Sequence, residues 1–228
     1  MAKTETRPAS VRIPADGAYL SGDLRLPPRA RGLVVFAHGS GSGRLSPRNR
    51  FVAEFLERRG LGTLLLDLLT PSEQTLDDAT AILRFDIPLL ARRLEAASDW
   101  LRSRPDTRKA ALGYFGASTG AAAALTAAAA RPGEIFAVVS RGGRPDLALE
   151  SLARVRAPVL LIVGGNDREV LAMNESAASL MKAERRLDVV PGATHLFEEP
   201  GALEAAARLA ADWFMGHLPA ASLRPIRA

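Results

Sequence analysis

Gly116-Ala117-Ser118-Thr119-Gly120 sets a serine between two glycines, directly after an apolar run, Ala110 to Phe115, and directly before a run of alanines. A serine on a tight turn from strand to helix is pushed out at the edge of a sheet with its hydroxyl exposed, and side chains two residues either side would collide there. The chemistry this spacing points to is attack by the Ser118 hydroxyl on an acyl carbon. A hydroxyl is a weak nucleophile at neutral pH and needs a base within hydrogen-bond reach. Of the three histidines, His38 stands at a strand end in Phe36-Ala37-His38-Gly39-Ser40, where it is expected to shape the loop, and His217 lies near the end of the last helix. His195, in the loop Pro191-Gly192-Ala193-Thr194-His195 after the last strand, leaves the sheet at the edge where Ser118 emerges and is the candidate base.

An acid that orients the imidazole should leave the same edge between serine and histidine in the chain. Asp167 does so, after Val159-Leu160-Leu161-Ile162-Val163 and the turn Gly164-Gly165-Asn166; Asp146 and Glu169 are rivals for the role. Negative charge developing on the attacked carbonyl calls for backbone N–H donors. Thr119, next to the serine, supplies one, and Ser40, in His38-Gly39-Ser40-Gly41-Ser42-Gly43, supplies the other. The same loop has neither GxxxxGK[ST] nor GxGxxG, so it does not read as a nucleotide cradle. Arg44, Arg141 and Arg144 follow strands toward the same edge, and Arg141 is a candidate to bind an anionic substrate group.

These residues need a sheet to bring them together. Short apolar runs alternate with helical periods, the pattern of a mostly parallel sheet with helices on both faces. Eight strands are expected: 11–13, 20–26, 33–37, 62–66, 110–115, 136–140, 159–163 and 187–190. Asp86 is expected to cap a helix with Pro88 in its first turn and Ile87, Leu90, Ala91, Leu94, Ala97 and Leu101 on one face. The alanines from Ala121 to Ala130 form a second helix, and Ala202 to His217 a third, with Trp213 and Phe214 on its inner stripe. The segment 141–157 is too short for a separate lid, so an open, shallow site is expected. The expectation is one domain, 11–218, between a flexible N-terminus at 1–10 and a C-terminal tail at 219–228.

Composition narrows the function classes. The chain has 228 residues, 47% hydrophobic and 24% charged, the balance of a globular protein. It has no cysteine, which excludes disulfides, thiolate metal sites and a cysteine nucleophile. The net charge of +5 invites nucleic acid as a partner, but the basic residues are scattered among acidic neighbours and aromatics make up only 5%, too few for base stacking. No apolar stretch is long enough to span a bilayer and Met1 to Gly17 lacks a signal-peptide core, so the expected setting is cytoplasmic, without membrane or nucleic-acid partners. Exposed edge strands would permit a homodimer.

Taken together, the His38 to Gly41 loop continuing into Ser46-Pro47-Arg48-Asn49-Arg50, the Gly116 to Gly120 turn, the Gly164 to Asp167 turn and the segment Gly192 to Phe197 resemble the α/β-hydrolase superfamily, specifically its small dienelactone-hydrolase-like branch. The resemblance runs from about Val11 to Phe214. It implies a hydrolase with an acyl-enzyme intermediate, no cofactor and no metal. Where dienelactone hydrolases proper carry a cysteine nucleophile this chain has Ser118, and serine members look like carboxylesterases. A small ester is the implied substrate, with thioesters and lactones open to the same chemistry. A binding protein on the same fold is the rival from another class.

Overall fold

Mostly apolar runs of five to seven residues can be buried on both sides within a sheet covered on both faces. In the computed structural model, which describes residues 8–28 and 30–220, these runs are strands β3 (Leu33–Ala37), β4 (Gly62–Leu66), β5 (Leu112–Ala117), β6 (Ile135–Arg141) and β7 (Val159–Gly164). Strands β1 (Ala9–Ala15), β2 (Ala18–Arg25) and β8 (Arg185–Val190) alternate buried with exposed positions or face solvent, as outer strands do. The sheet order is β1-β2-β4-β3-β5-β6-β7-β8. β2 runs antiparallel to β1 and to β4, and every other pairing is parallel. All eight expected strands are present. Ala9 and Ser10, expected in a flexible N-terminus, instead pair with Leu24 and Asp23 in the β1–β2 hairpin. The remainder of that segment up to residue 7 and the tail from residue 221 lie outside the described residues.

Period-2 alternation sends neighbours to opposite faces, and the core accordingly splits in two. Val35 and Ala37 of β3 pack with helices α3 (Ile87–Ser103) and α4 (Thr119–Ala130), while Val34 and Phe36 pack with α1 (Pro47–Arg58) and α7 (Ala202–His217). Each fully buried Leu or Phe here stabilises the fold by about 1.5–3 kcal/mol. α3 starts where Asp86 accepts the Leu89 N–H at 3.0 Å, a cap whose loss costs about 1 kcal/mol. α4 is apolar all round and enclosed by α3, the sheet and the β6–β7 connection. That connection holds only a 3-10 turn, Pro145–Ala148, and α5 (Leu149–Leu152), as the short segment implied.

Four helices were not anticipated: α1 and the short α5, given above, and two more. α2 (Pro71–Thr80) opens with a capping box in which Thr70 and Glu73 each accept the other's backbone N–H. Thr70-Pro71-Ser72-Glu73 spells that box in the sequence, but the helix it opens is polar and lacks a long apolar stripe. α6 (Arg168–Leu180) follows directly on Asp167. Among the described residues, no helix is long and apolar enough to cross a membrane.

Candidate active site

The turn from β5 to α4 is built by exclusion. A side chain at Gly116 would overlap the Ala121 backbone, and one at Gly120 would overlap the carbonyl oxygen of Ala37 at the end of β3. With both positions bare, α4 can start at Thr119, and Ser118 is forced to φ 50°, ψ −123°, a conformation L-residues avoid. Arg144 and Ala121 donate their N–H groups to the Ser118 carbonyl at 3.1 and 3.0 Å and hold the turn.

Two adjoining loops are strapped together at the far end of β7. Gly165 N–H donates to Val190 O, Asn166 N–H to Ala193 O, and the Asn166 side chain to Gly192 O, each at 2.9 Å. Gly164 lies so close under the second loop that any Cβ would meet the Ala193 and Thr194 carbonyls. The straps bring Asp167 Oδ2 within 2.7 Å of His195 Nδ1, with the carboxylate mostly buried and the imidazole 38% exposed. Asp167 accepts from Nδ1–H, which leaves Nε2 as the basic nitrogen. Ser118 and His195 line one cleft with Gly39, Ser40, Arg48 and Arg141, of volume about 180 Å³, and no hydrogen bond joins Ser118 to His195 in this structure. Such contacts commonly tighten only when substrate is bound.

Neither rival for the acid is hydrogen-bonded to His195. Asp146 holds Arg144 through contacts of 2.7 and 2.9 Å, and Glu169 lies in the first turn of α6. Glu198 pairs with Arg48 at 2.9 Å, and Glu199 accepts from the Thr194 hydroxyl at 2.6 Å.

Ser40 and Thr119, the expected amide donors, stand side by side, their hydroxyls 3.1 Å apart. The N–H of Thr119, as the first residue of α4, has no carbonyl of the helix to bond. The loop that carries Ser40 is bonded by His38. This histidine is buried, donates Nδ1–H to Gly39 O at 2.9 Å and accepts the Leu68 N–H on Nε2 at 3.0 Å. Burial holds its pKa below the ordinary histidine value, with Gly39 and Asp67 opposing more weakly, so the ring is neutral and fully bonded. His217 is remote: it stacks on Trp213 and bonds Trp213 O at 2.8 Å.

Of the three arginines read toward this edge, two are spoken for. Arg44 is bound to Asp67 by its backbone N–H and its guanidinium, at 2.7 and 2.6 Å, and Arg144 is held by Asp146. Arg141 lines the cleft. Sequence reasoning gave no role to Arg48 and Asn49 of α1, which line the same wall; Ser46-Pro47, a cap followed by proline, marks the helix start that puts them there. No cluster of three or more His, Asp or Glu side chains suited to a metal ion occurs among the described residues.

Residues 51–215 match the model of the dienelactone hydrolase family. A dienelactone hydrolase from Anabaena variabilis ATCC 29413 is 56% identical, with a TM-score of 0.91 covering 94% of this chain and 100% of that one. Est1E from Butyrivibrio proteoclasticus shares the α/β-hydrolase fold at 16% identity, with a TM-score of 0.76 over 91% of this chain and 98% of its own. A Mycobacterium tuberculosis (strain H37Rv) protein, provisionally named a phosphoribosyl transferase, is 55% identical over 212 residues, which is 93% of this chain and 47% of that protein. The chain thus spans about half the length of the curated relatives it matches.

Proposed function

The chain belongs to the dienelactone hydrolase family, and from that premise we propose that it is a serine hydrolase cleaving small, short-chain carboxylic esters through an acyl-enzyme intermediate on Ser118. The observation that carries this reading is the strained Ser118 sharing a cleft with an imidazole whose Nδ1 is held by Asp167 at 2.7 Å.

In this mechanism Ser118 Oγ attacks the ester carbonyl while His195 Nε2 takes the hydroxyl proton. Asp167 holds the ring in the tautomer that leaves Nε2 free and stabilises the imidazolium. The N–H groups of Ser40 and Thr119 receive the oxyanion, each worth on the order of 3 kcal/mol of barrier. Collapse expels the alkoxide, which takes the proton from His195. Water, activated by the same nitrogen, then releases the acid and restores Ser118. Thioesters and lactones present the same carbonyl to the same groups. The transferase name of the mycobacterial relative describes a protein of which this chain matches 47%, and the cleft geometry favours acyl transfer.

A fluorophosphonate probe, with mass spectrometry to locate the adduct, tests the reading. An adduct on Ser118 that is lost in Ser118→Ala, together with p-nitrophenyl acetate hydrolysis lost in the same variant, is the expected result. Folded protein that neither labels nor hydrolyses esters would move a non-catalytic binding role to the front.

A further inference from the structure

The sheet ends at β8, and one side of that strand is unused. Among the described residues its backbone ladder is made with β7 alone, in an unbroken parallel register from Arg185 against Val159 to Val190 against Gly164. The carbonyls of Glu184 and Val190 are turned toward β7, where they accept the Val159 and Gly165 N–H groups at 2.9 Å. Direction alternates along a strand, so the even positions bond β7 and the N–H and C=O groups of Arg185, Leu187 and Val189 face outward. A row of unpaired donors and acceptors is a template for another strand, and proteins commonly blunt it with proline, a bulge or charge. The opposite edge of the sheet, β1, carries Pro14, which has no N–H to offer. β8 has no proline, and its Val189 side chain is 43% exposed.

The charges on β8 select the strand that fits. Two copies of β8 can pair antiparallel about a twofold axis when outward-facing residues meet outward-facing residues, which near the middle of the strand leaves axes at Arg186, Leu187 or Asp188. At Arg186 the axis sets arginine against arginine, and at Asp188 aspartate against aspartate, and both are repulsive. At Leu187 it sets Arg186 against Asp188 of the second copy, and the reverse, in non-hydrogen-bonded pairs, where opposing side chains lie closest. Arg185 then lies against Val189 and covers it with its aliphatic stem. Within one chain Arg186 bonds Asp188 at 2.8 Å, and its guanidinium carbon lies 5.2 Å from the centre of the Trp213 ring. The guanidinium is thus held on the face where the second carboxylate arrives, and the four charges alternate in sign.

We propose that the outer edge of β8 is a docking strand for a second copy of this chain, joined antiparallel about Leu187 so that the two sheets become one. The interface is isologous, the same strand serving both sides. Because the paired strands run in opposite directions, the two Ser118 clefts open at opposite ends of the joined sheet. The inference is independent of the hydrolase reading.

Sedimentation of the chain from about 1 to 100 μM tests it, with a dimer expected at the upper end. Asp188→Arg sets like charges across the axis, as does Arg186→Asp, so each variant should dissociate about tenfold more readily than the parent. Mixed together, the two variants should form a heterodimer of about the parent's affinity, because every cross-strand pair again has opposite signs. A merely intrachain role for the Arg186–Asp188 bridge would give no such rescue, since neither variant has it. The chain has no cysteine, so Leu187→Cys gives a second reading. Cα atoms of a hydrogen-bonded pair on the axis are about 5.5 Å apart, within disulfide range, so oxidation with diamide should link this variant into a dimer, whereas Arg12→Cys on the β1 edge should stay unlinked. Where a charge variant fails to fold, the cysteine comparison carries the test. A parent that is monomeric throughout, single variants that dimerise as the parent does, or a mixture that yields no heterodimer overturns the proposal. Linkage at Arg12→Cys and not at Leu187→Cys would overturn it too, by moving the interface to β1.

Discussion

Replacing Asp167 by Asn removes a charge while leaving its turn in place, because the turn is held by the Asp167 backbone, whose N–H donates to Gly164 O at 3.0 Å and whose carbonyl accepts the Leu171 N–H at 2.9 Å. In the proposed reaction an imidazolium forms with its Nδ1 2.7 Å from the carboxylate. Opposite unit charges at that distance attract by about 6 kcal/mol at an effective dielectric of ~20. The imidazole is 38% exposed, so solvent screens part of this, and roughly 4 kcal/mol is the realistic share, about a thousandfold in rate. Asp167→Asn should therefore lower kcat/KM for p-nitrophenyl acetate about a thousandfold with an unchanged circular dichroism spectrum. Asp146→Asn, which disturbs only the partner of Arg144, should cost less than about threefold. A loss under about tenfold in the first variant, or an equal loss in both, would refute the assignment of Asp167 as the orienting acid.

Two further outcomes test the scaffold. His38 is kept neutral in the fold, whereas in the unfolded chain it takes up a proton near its ordinary value of 6.5, so stability is fully present above that pH and falls as the pH drops below it. Urea midpoints between about pH 5 and 7.5 should fall more steeply for the parent than for His38→Gln, by up to about 1.4 kcal/mol per pH unit; parallel slopes would mean that the buried ring accepts the proton. Gly120→Ala, whose methyl overlaps the Ala37 carbonyl, should cost about 3 kcal/mol or more in thermal denaturation and abolish fluorophosphonate labelling. An unaltered melting curve would show that the turn has slack the packing denies.

Reading strands from the sequence worked because parallel strands covered on both faces must be continuously apolar, and β3 and β4 have the very limits their composition marks. The Ser118 turn was legible because overlap at Gly116 and Gly120 is a local constraint that residue identity records. Asp167 and His195 were legible as candidates from chain order, but their contact was not: it depends on hydrogen bonds between loops some 28 residues apart, largely from backbone groups that no side-chain type encodes. Arg44, Arg141 and Arg144 looked alike in sequence. Only the placement of Asp67 and Asp146 separates the paired arginines from the unpaired one. Arg48 and Asn49 were missed as cleft residues because Ser46 to Arg50 was read as a continuation of the His38 loop and not as the cap and first turn of α1.

The alanine helix behind Ser118 has a consequence for how this protein can vary. From Ala121 to Ala128 every side chain except Thr126 is essentially inaccessible, and most are already single methyl groups. Elsewhere in a core, substitutions can err in both directions, leaving a hole or a clash; along α4 nearly the whole error lies on the side of the clash. A random library would thus find this stretch permissive toward glycine and serine at modest cost and closed to anything larger, while half-exposed cleft positions such as Ser42 and Arg48 stay open to trial. Diversification of substrate preference is channelled into the cleft walls, with the post that presents Ser118 left as it is.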